Sequence, residues 1–353
     1  MKKNIIYALV IIITIACSTS QEGTTLSENG NNEAGNWSIP IAEVKDGGPG
    51  KDGIPSIDNP KFLNINQVDF LSDDDLIVGI VNGNVVRAYP HPILDWHEVL
   101  NDEVNGEFVT INYCPLTGTA FGWKSKVNDT KTTFGVSGLL YNANLILYDR
   151  NTGSNWSQMK LECVNGQLIG DRPELVNIIE TNWKTWKALY PNSEVLSTDT
   201  GFSRNYNNYP YGPYRTSNTY FIFQPAIFND ALPNKERVYA IIDKNESKIY
   251  PFTSFENGNV IKDSFNSIEH LVVGNQNLIK AFKLSGEHAN LTFSYDFNDS
   301  ESFFKDNEGN KWSVFGEAIE GPRTGEKLTA AKSVVSYWFA IATFYPDPEI
   351  YNP

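Results

Sequence analysis

The chain has 353 residues, 41% of them hydrophobic and 13% aromatic, and a net charge of −14. This composition supplies a core for one large or two medium domains, at roughly 100–200 residues each, and excludes collagen, low-complexity disorder and a coiled coil. No basic patch stands out, so nucleic acid is not an expected partner.

The first predicted element is an address. Lys2 and Lys3 precede an apolar run from Ile5 to Ile13, followed by Thr14-Ile15-Ala16-Cys17. A basic start, a short apolar stretch and a small residue at the cut describe a secretory signal peptide. The run is shorter than the about 20 apolar residues that a bilayer span needs. Cys17 directly after Ala16 makes the segment resemble a bacterial lipoprotein signal, with residues 1–16 removed and Cys17 lipidated. The membrane is then the expected partner, through this anchor. Ser18, rather than Asp, leans the location to the outer membrane of the cell envelope where one exists. Residues 17–50 read as a disordered tether, because Ser, Thr, Asn, Glu and Gly cannot bury enough surface to offset ordering entropy.

Folded chain is expected from Lys51, and it repeats itself. Arg87-Ala-Tyr-Pro90 matches Lys248-Ile-Tyr-Pro251, each after an alternating apolar segment (Leu76 to Ile80, Val238 to Ile242). Thr152-Gly-Ser-Asn-Trp-Ser157 matches Glu308-Gly-Asn-Lys-Trp-Ser313, and Trp183 precedes Tyr190 by the step from Trp338 to Tyr345. We therefore read a first repeat with an N-terminal extension (51–196), a Tyr-, Asn-, Pro- and Gly-rich linker (197–233) and a second repeat (234–353). Short β-branched and aromatic segments such as Val85 to Tyr89, Phe108 to Tyr113 and Leu145 to Tyr148 predict strands. Apolar helices are predicted at 181–190 and 334–345. The expected class is a β-rich α+β fold made of two tandem copies of a mostly β unit, each closed by a short apolar helix.

Features common to both copies are scaffold, and features of one copy are candidates for function. The first copy alone has Tyr89-Pro-His-Pro-Ile-Leu-Asp-Trp-His97-Glu98 and Asn112-Tyr-Cys114-Pro. A helix at 92–100 would put Ile93, Trp96, His97 and Leu100 on one face, with Asp95 and Glu98 elsewhere. Cys114 closes a strand on the face of Thr110 and Asn112. If His97 and Cys114 met, they could hold copper or zinc, with Asp95, Glu98, His91, Tyr113 or Met159 as further ligands. They could equally form a nucleophilic thiolate–imidazole pair. Tyr89, Trp96, Glu98, Tyr141, Asp149, Arg150, Trp156 and Gln158 are candidate ligand-binding residues of the same cleft. Gly135-Val-Ser137-Gly-Leu has the letters of a nucleophile elbow but lacks α/β alternation around it. His270 and His288 are expected to be surface or structural. Cys114 and Cys163 could pair in an oxidising compartment.

The chain resembles an exported bacterial and archaeal family, domain of unknown function 3179. The resemblance covers residues 50–351. It rests on Asp52-Gly-Ile-Pro-Ser-Ile-Asp-Asn-Pro-Lys-Phe62, Ala88-Tyr-Pro, Trp96-His97-Glu98, Tyr113-Cys-Pro-Leu-Thr-Gly118, Phe134-Gly-Val-Ser-Gly-Leu-Leu-Tyr141, Tyr148-Asp-Arg150 and Trp156-Ser-Gln158. Family members often carry Tyr-Cys-Pro-Leu-Cys-Gly; here Thr117 replaces the second Cys, which removes a dithiol cycle or clamp. The resemblance brings no assigned activity. The expectations are thus a lipid-anchored protein with a His97/Cys114 metal or ligand site, a Cys114 nucleophile with His97 as base, or a non-catalytic envelope binding module. In the last, Tyr206, Tyr209, Tyr211 and Tyr214 would contact a glycan or partner, unless the linker is a structured strap.

Overall fold

A computed structural model describes residues 36–298 and 300–352. The signal segment and Cys17 lie outside the described residues. The fold is α+β and β-rich, with three seven-residue α-helices among the described residues: α1 (His91–His97), α2 (Trp183–Leu189) and α3 (Trp338–Phe344).

The two halves pair their strands in the same order. In the first, Ile178–Asn182, Leu76–Asn82, Val85–Pro90 and Glu194–Leu196 form one sheet, extended by Phe62–Asn64. In the second, Ser333–Tyr337, Arg237–Asp243, Glu246–Pro251 and Glu349–Ile350 follow the same sequence of neighbours. In each sheet these four strands make three pairings, the last parallel and the other two antiparallel. Leu175–Val176, Thr119–Lys124, Glu107–Cys114 and Val99–Val104 form a second sheet, matched by Thr329–Ala330, Leu278–Lys283, Ile268–Asn275 and Asn259–Phe265. The meander from Phe134–Tyr141 to Glu162–Asn165 matches that from Phe293–Tyr295 to Ala318–Glu320.

Polar networks correspond as well. Tyr89 donates to Asp102 at 2.7 Å, and Tyr250 donates to Asp263 at 2.9 Å. Arg87 pairs with Asp102 and Glu194, and Lys248 with Asp263 and Glu349. Tyr89 is therefore held by the scaffold and is not free to meet a ligand.

Three boundaries differ from the sequence reading. Residues 36–50 are not tether: Val44–Asp46 adds an edge strand to Phe134–Tyr141, and Ile39 and Val44 are buried. Two apolar side chains suffice there because the open sheet edge takes the backbone hydrogen bonds. The helix expected at 92–100 stops at His97, where Glu98 adopts φ 57° and Val99 begins a strand. The helix expected at 334–345 begins only at Trp338, because Val334 and Val335 belong to a strand beside Arg237–Asp243 and β-branched residues suit that pleat. Backbone proximity also fixes Gly79, where a Cβ would lie 2.1 Å from the Trp186 ring.

The linker 197–233 crosses the surface as a strap with one 3-10 turn, Tyr214–Thr216. Its later part packs on α3, where Trp338 and Thr343 donate to the carbonyls of Asn229 and Ile227. No helix among the described residues is long and apolar enough to cross a membrane.

Candidate functional site

His97 and Cys114 are both buried, but the structure does not bring them into contact. His97 Nδ1 lies 2.7 Å from the Pro55 carbonyl, and Nε2 lies 2.7 Å from the Tyr206 hydroxyl. A carbonyl only accepts, so Nδ1 carries the proton and Nε2 accepts from Tyr206. Burial holds the ring's pKa below its ordinary value, with the Pro55 carbonyl opposing. No lone pair remains for a metal or for a thiol proton. Cys114 sits in the apolar core with Sγ 3.7 Å from the Ala143 carbonyl. Burial, then the nearby Glu98, pushes its thiol up to about 11, so the nucleophilic thiolate is suppressed. These two side chains do not fit copper or zinc. Among the described residues no group of three or more His, Cys, Asp and Glu is placed to hold a metal ion. Cys114 and Cys163 are both free thiols.

The residues of the Trp96-His97-Glu98 run all hold the strap. Trp96 Nε1 donates to the Asn208 carbonyl at 3.0 Å, His97 accepts from Tyr206, and Tyr211 donates to Glu98 Oε1 at 3.0 Å. The strap's Tyr206–Tyr211 stretch lies on the first half. That accounts for a Trp-His-Glu run in one half and none in the other.

Most remaining candidates are structural. Asp149 accepts from Trp156 Nε1 at 3.1 Å, as Asp306 accepts from Trp312 Nε1 at 2.9 Å. Arg150 pairs with Asp52 and Asp58, fastening the N-terminal extension, and does not pair with Asp149. Gln158 lies in a buried amide network with Asn112, Asn144 and Thr119. Tyr141 meets Phe344 edge-on. Ser137 occupies a β-bulge, donating to the Ile146 carbonyl, so it forms no nucleophile elbow. His270 is buried in a strand, and His288 pairs with Glu326 at 2.9 Å.

The cluster that does converge lies where the halves and the strap meet. A cleft of about 410 Å³ is lined by His91 and Asp95 of α1, Tyr113, Arg215 of the strap, and Lys235 and Arg237. Three of its buried side-chain atoms, His91 Nε2, Asp95 Oδ1 and Lys235 Nζ, have no hydrogen-bond partner among the described residues. His91 Nε2 stands 3.3 Å from Glu180, out of hydrogen-bond alignment, while Arg237 pairs with the other oxygen of Glu180. Burial, then Arg237 and Arg215, hold His91 well below its ordinary pKa, so it is neutral. Burial lifts the Asp95 carboxyl to about 7 against the pull of Arg215. The helical spacing puts Asp95 away from His97's side of the helix, yet it is only 4% exposed. Lys235, Arg215 and Arg237 carry no motif; the one available hint is their position in and just beyond the linker.

Glu98, 6% exposed, behaves like Asp95: burial lifts it to about 7, opposed by the Tyr211 hydrogen bond. The folded protein therefore keeps a proton that the unfolded chain releases near pH 4.5. Between those values the unfolded state binds fewer protons, so stability falls as pH rises. Glu98→Gln is expected to remove up to about 3 kcal/mol of that fall. Urea midpoints measured from pH 5 to 8 check it; identical slopes in the two proteins would refute it.

A family model described as protein of unknown function (DUF3179) matches residues 51–348. No curated protein and no solved structure matches the chain.

Proposed function

The chain belongs to the DUF3179 family of proteins of unknown function, and we propose that it is an exported, lipid-anchored protein that binds a small acid-bearing molecule in the cleft between its halves. Export and anchoring are supported by Lys2, Lys3, the apolar run to Ile13 and Cys17 after Ala16. The matching strand orders support reading the halves as duplicated units, with the cleft at their junction. The observation that carries the binding reading is the set of buried polar atoms without partners around one opening. Such atoms are costly unless something satisfies them, and the opening has the size of a small-molecule site.

The ligand class follows from charge. Arg237 is already paired with Glu180, but Lys235 is buried with no anion beside it. The Arg215 guanidinium stacks 4.5 Å from the centre of the Tyr209 ring, on the strap. A carboxylate or phosphate would pair with the Arg215 guanidinium, and Lys235 Nζ would meet the same molecule. Neutral His91 and the Asp95 carboxyl then offer hydrogen bonds to the rest of the molecule.

The test is calorimetric titration of the full chain in mild detergent with acetate, pyruvate and phosphate. Saturable binding of at least one acid is expected, weakened roughly tenfold or more by Arg215→Ala. Absence of binding by all three, or wild-type affinity in Arg215→Ala, would overturn the reading.

A further inference from the structure

We propose that Lys235 is an amine nucleophile that forms an imine with an aldehyde or ketone bearing an acidic group; this rests on the cleft being a ligand site. The buried lysines of this protein differ in their surroundings. Lys248 pairs with Asp263 and Glu349, and Lys280 donates to the Ile178 carbonyl at 2.8 Å. Lys235 Nζ has no acceptor among the described residues. Instead its Nζ lies 3.1 Å from the centre of the Tyr214 ring, 4.2 Å from Phe221, 4.8 Å from Phe339 and 5.6 Å from Tyr337. The backbone is pinned, with Lys235 N donating to Asn218 Oδ1 at 2.8 Å. The amine is thus held in an aromatic cage, and Lys235 and the Tyr337 of that cage also line the cleft.

An ammonium brings three donors. Ring faces favour its charge, but they do not replace three lost hydrogen bonds to water. Burial accordingly brings this amine down to about 7, where a lone pair is available at neutral pH. A desolvated lysine among apolar walls is a suitable group for attacking carbonyl carbon.

The chemistry balances with groups present in the cleft. The Nζ lone pair attacks the carbonyl carbon, the C–N bond forms, and the carbonyl oxygen takes up a proton as the nitrogen loses one. A second proton lets that hydroxyl leave as water while the C=N bond forms. The proton donor is the Asp95 carboxyl, which lines the same cleft and is lifted to about 7 by burial. No electrons are transferred, and water is the only other product. The acidic group of the substrate is held at Arg215.

The test is reductive trapping on the full chain. Pyruvate and its neutral counterpart acetone are each added with cyanoborohydride at pH 7, and every lysine is mapped by peptide mass spectrometry. With pyruvate, Lys235 is expected to be alkylated at least roughly tenfold faster than Lys280 or any exposed lysine. Acetone is expected to label it less, and excess acetate to suppress its labelling. Labelling spread over exposed lysines with no preference for Lys235 would overturn the proposal. If acetate still binds in an Arg215-dependent way, the imine alone falls and the cleft remains a ligand site. If acetate does not bind either, both readings fall.

Discussion

Asp149→Ala and Asp306→Ala are each expected to destabilise the protein by about 3–5 kcal/mol, without altering what the cleft binds. Asp149 is fully buried and accepts from the backbone and hydroxyl of Thr152, both at 2.7 Å, and from Trp156 Nε1. Asp306 accepts from the backbone of Glu308 and Asn310, the Asn310 amide and Trp312 Nε1. Each carboxylate thus ties a turn to a buried indole. Both turns place glycine at positive φ, Gly153 at 73° and Gly309 at 86°, so the conformation and its acceptor are used twice. Truncation strands several buried donors at once, which is why the loss exceeds that of one hydrogen bond. Burial alone would raise the Asp306 carboxyl, but hydrogen bonds from Asn310 and Trp312 hold it below its ordinary value. Its contribution is therefore present above pH about 4 and is lost as pH falls through the lower folded value. Urea denaturation at pH 7 measures both variants. An Asp149→Ala protein of wild-type stability that no longer binds acids would return Asp149 to the ligand site.

The second large effect belongs to His97. His97→Ala is expected to cost about 2–4 kcal/mol and to loosen the strap. The ring is fully buried and bridges the Pro55 carbonyl to Tyr206, whose hydroxyl also meets Thr200. Removing it leaves a cavity and a buried phenol without its acceptor. Amide exchange in residues 200–211 should quicken by more than in the sheets, because Trp96 and Glu98 hold neighbouring points of the same strap. Uniform destabilisation with unchanged strap protection would show that His97 does not clasp the strap.

The two halves differ for two physical reasons. For Trp96, His97 and Glu98 the asymmetry arises because the first part of the strap needs a landing surface on the first half. For His91 and Asp95 it coincides with the cleft. Presence in one half alone points to chemistry in both cases, and sequence offers no way to separate them. All five residues lie within eight positions on or just after one short helix.

The β-rich class, the strand segments and the repeated landmarks were legible because they depend on local pattern. Alternating β-branched residues suit a pleat wherever the partner strand comes from, and Tyr-Pro or Gly-x-x-Trp turns carry their own conformational preference. The family was legible for the same reason. The edge strand at 44–46 was not, because three residues carry too little periodicity and draw their stability from another strand's edge. The site was least legible. Cys114 and His97 are chemically expressive types, but burial and the Pro55 and Tyr206 bonds quiet them. Lys235 is an ordinary residue in sequence and becomes unusual only through rings from distant positions that close around it. Sequence by itself determined the building units of this protein. Which titratable groups lose water, and which are left without a partner, was decided by tertiary structure, because desolvation is a property of the whole packed surroundings of an atom.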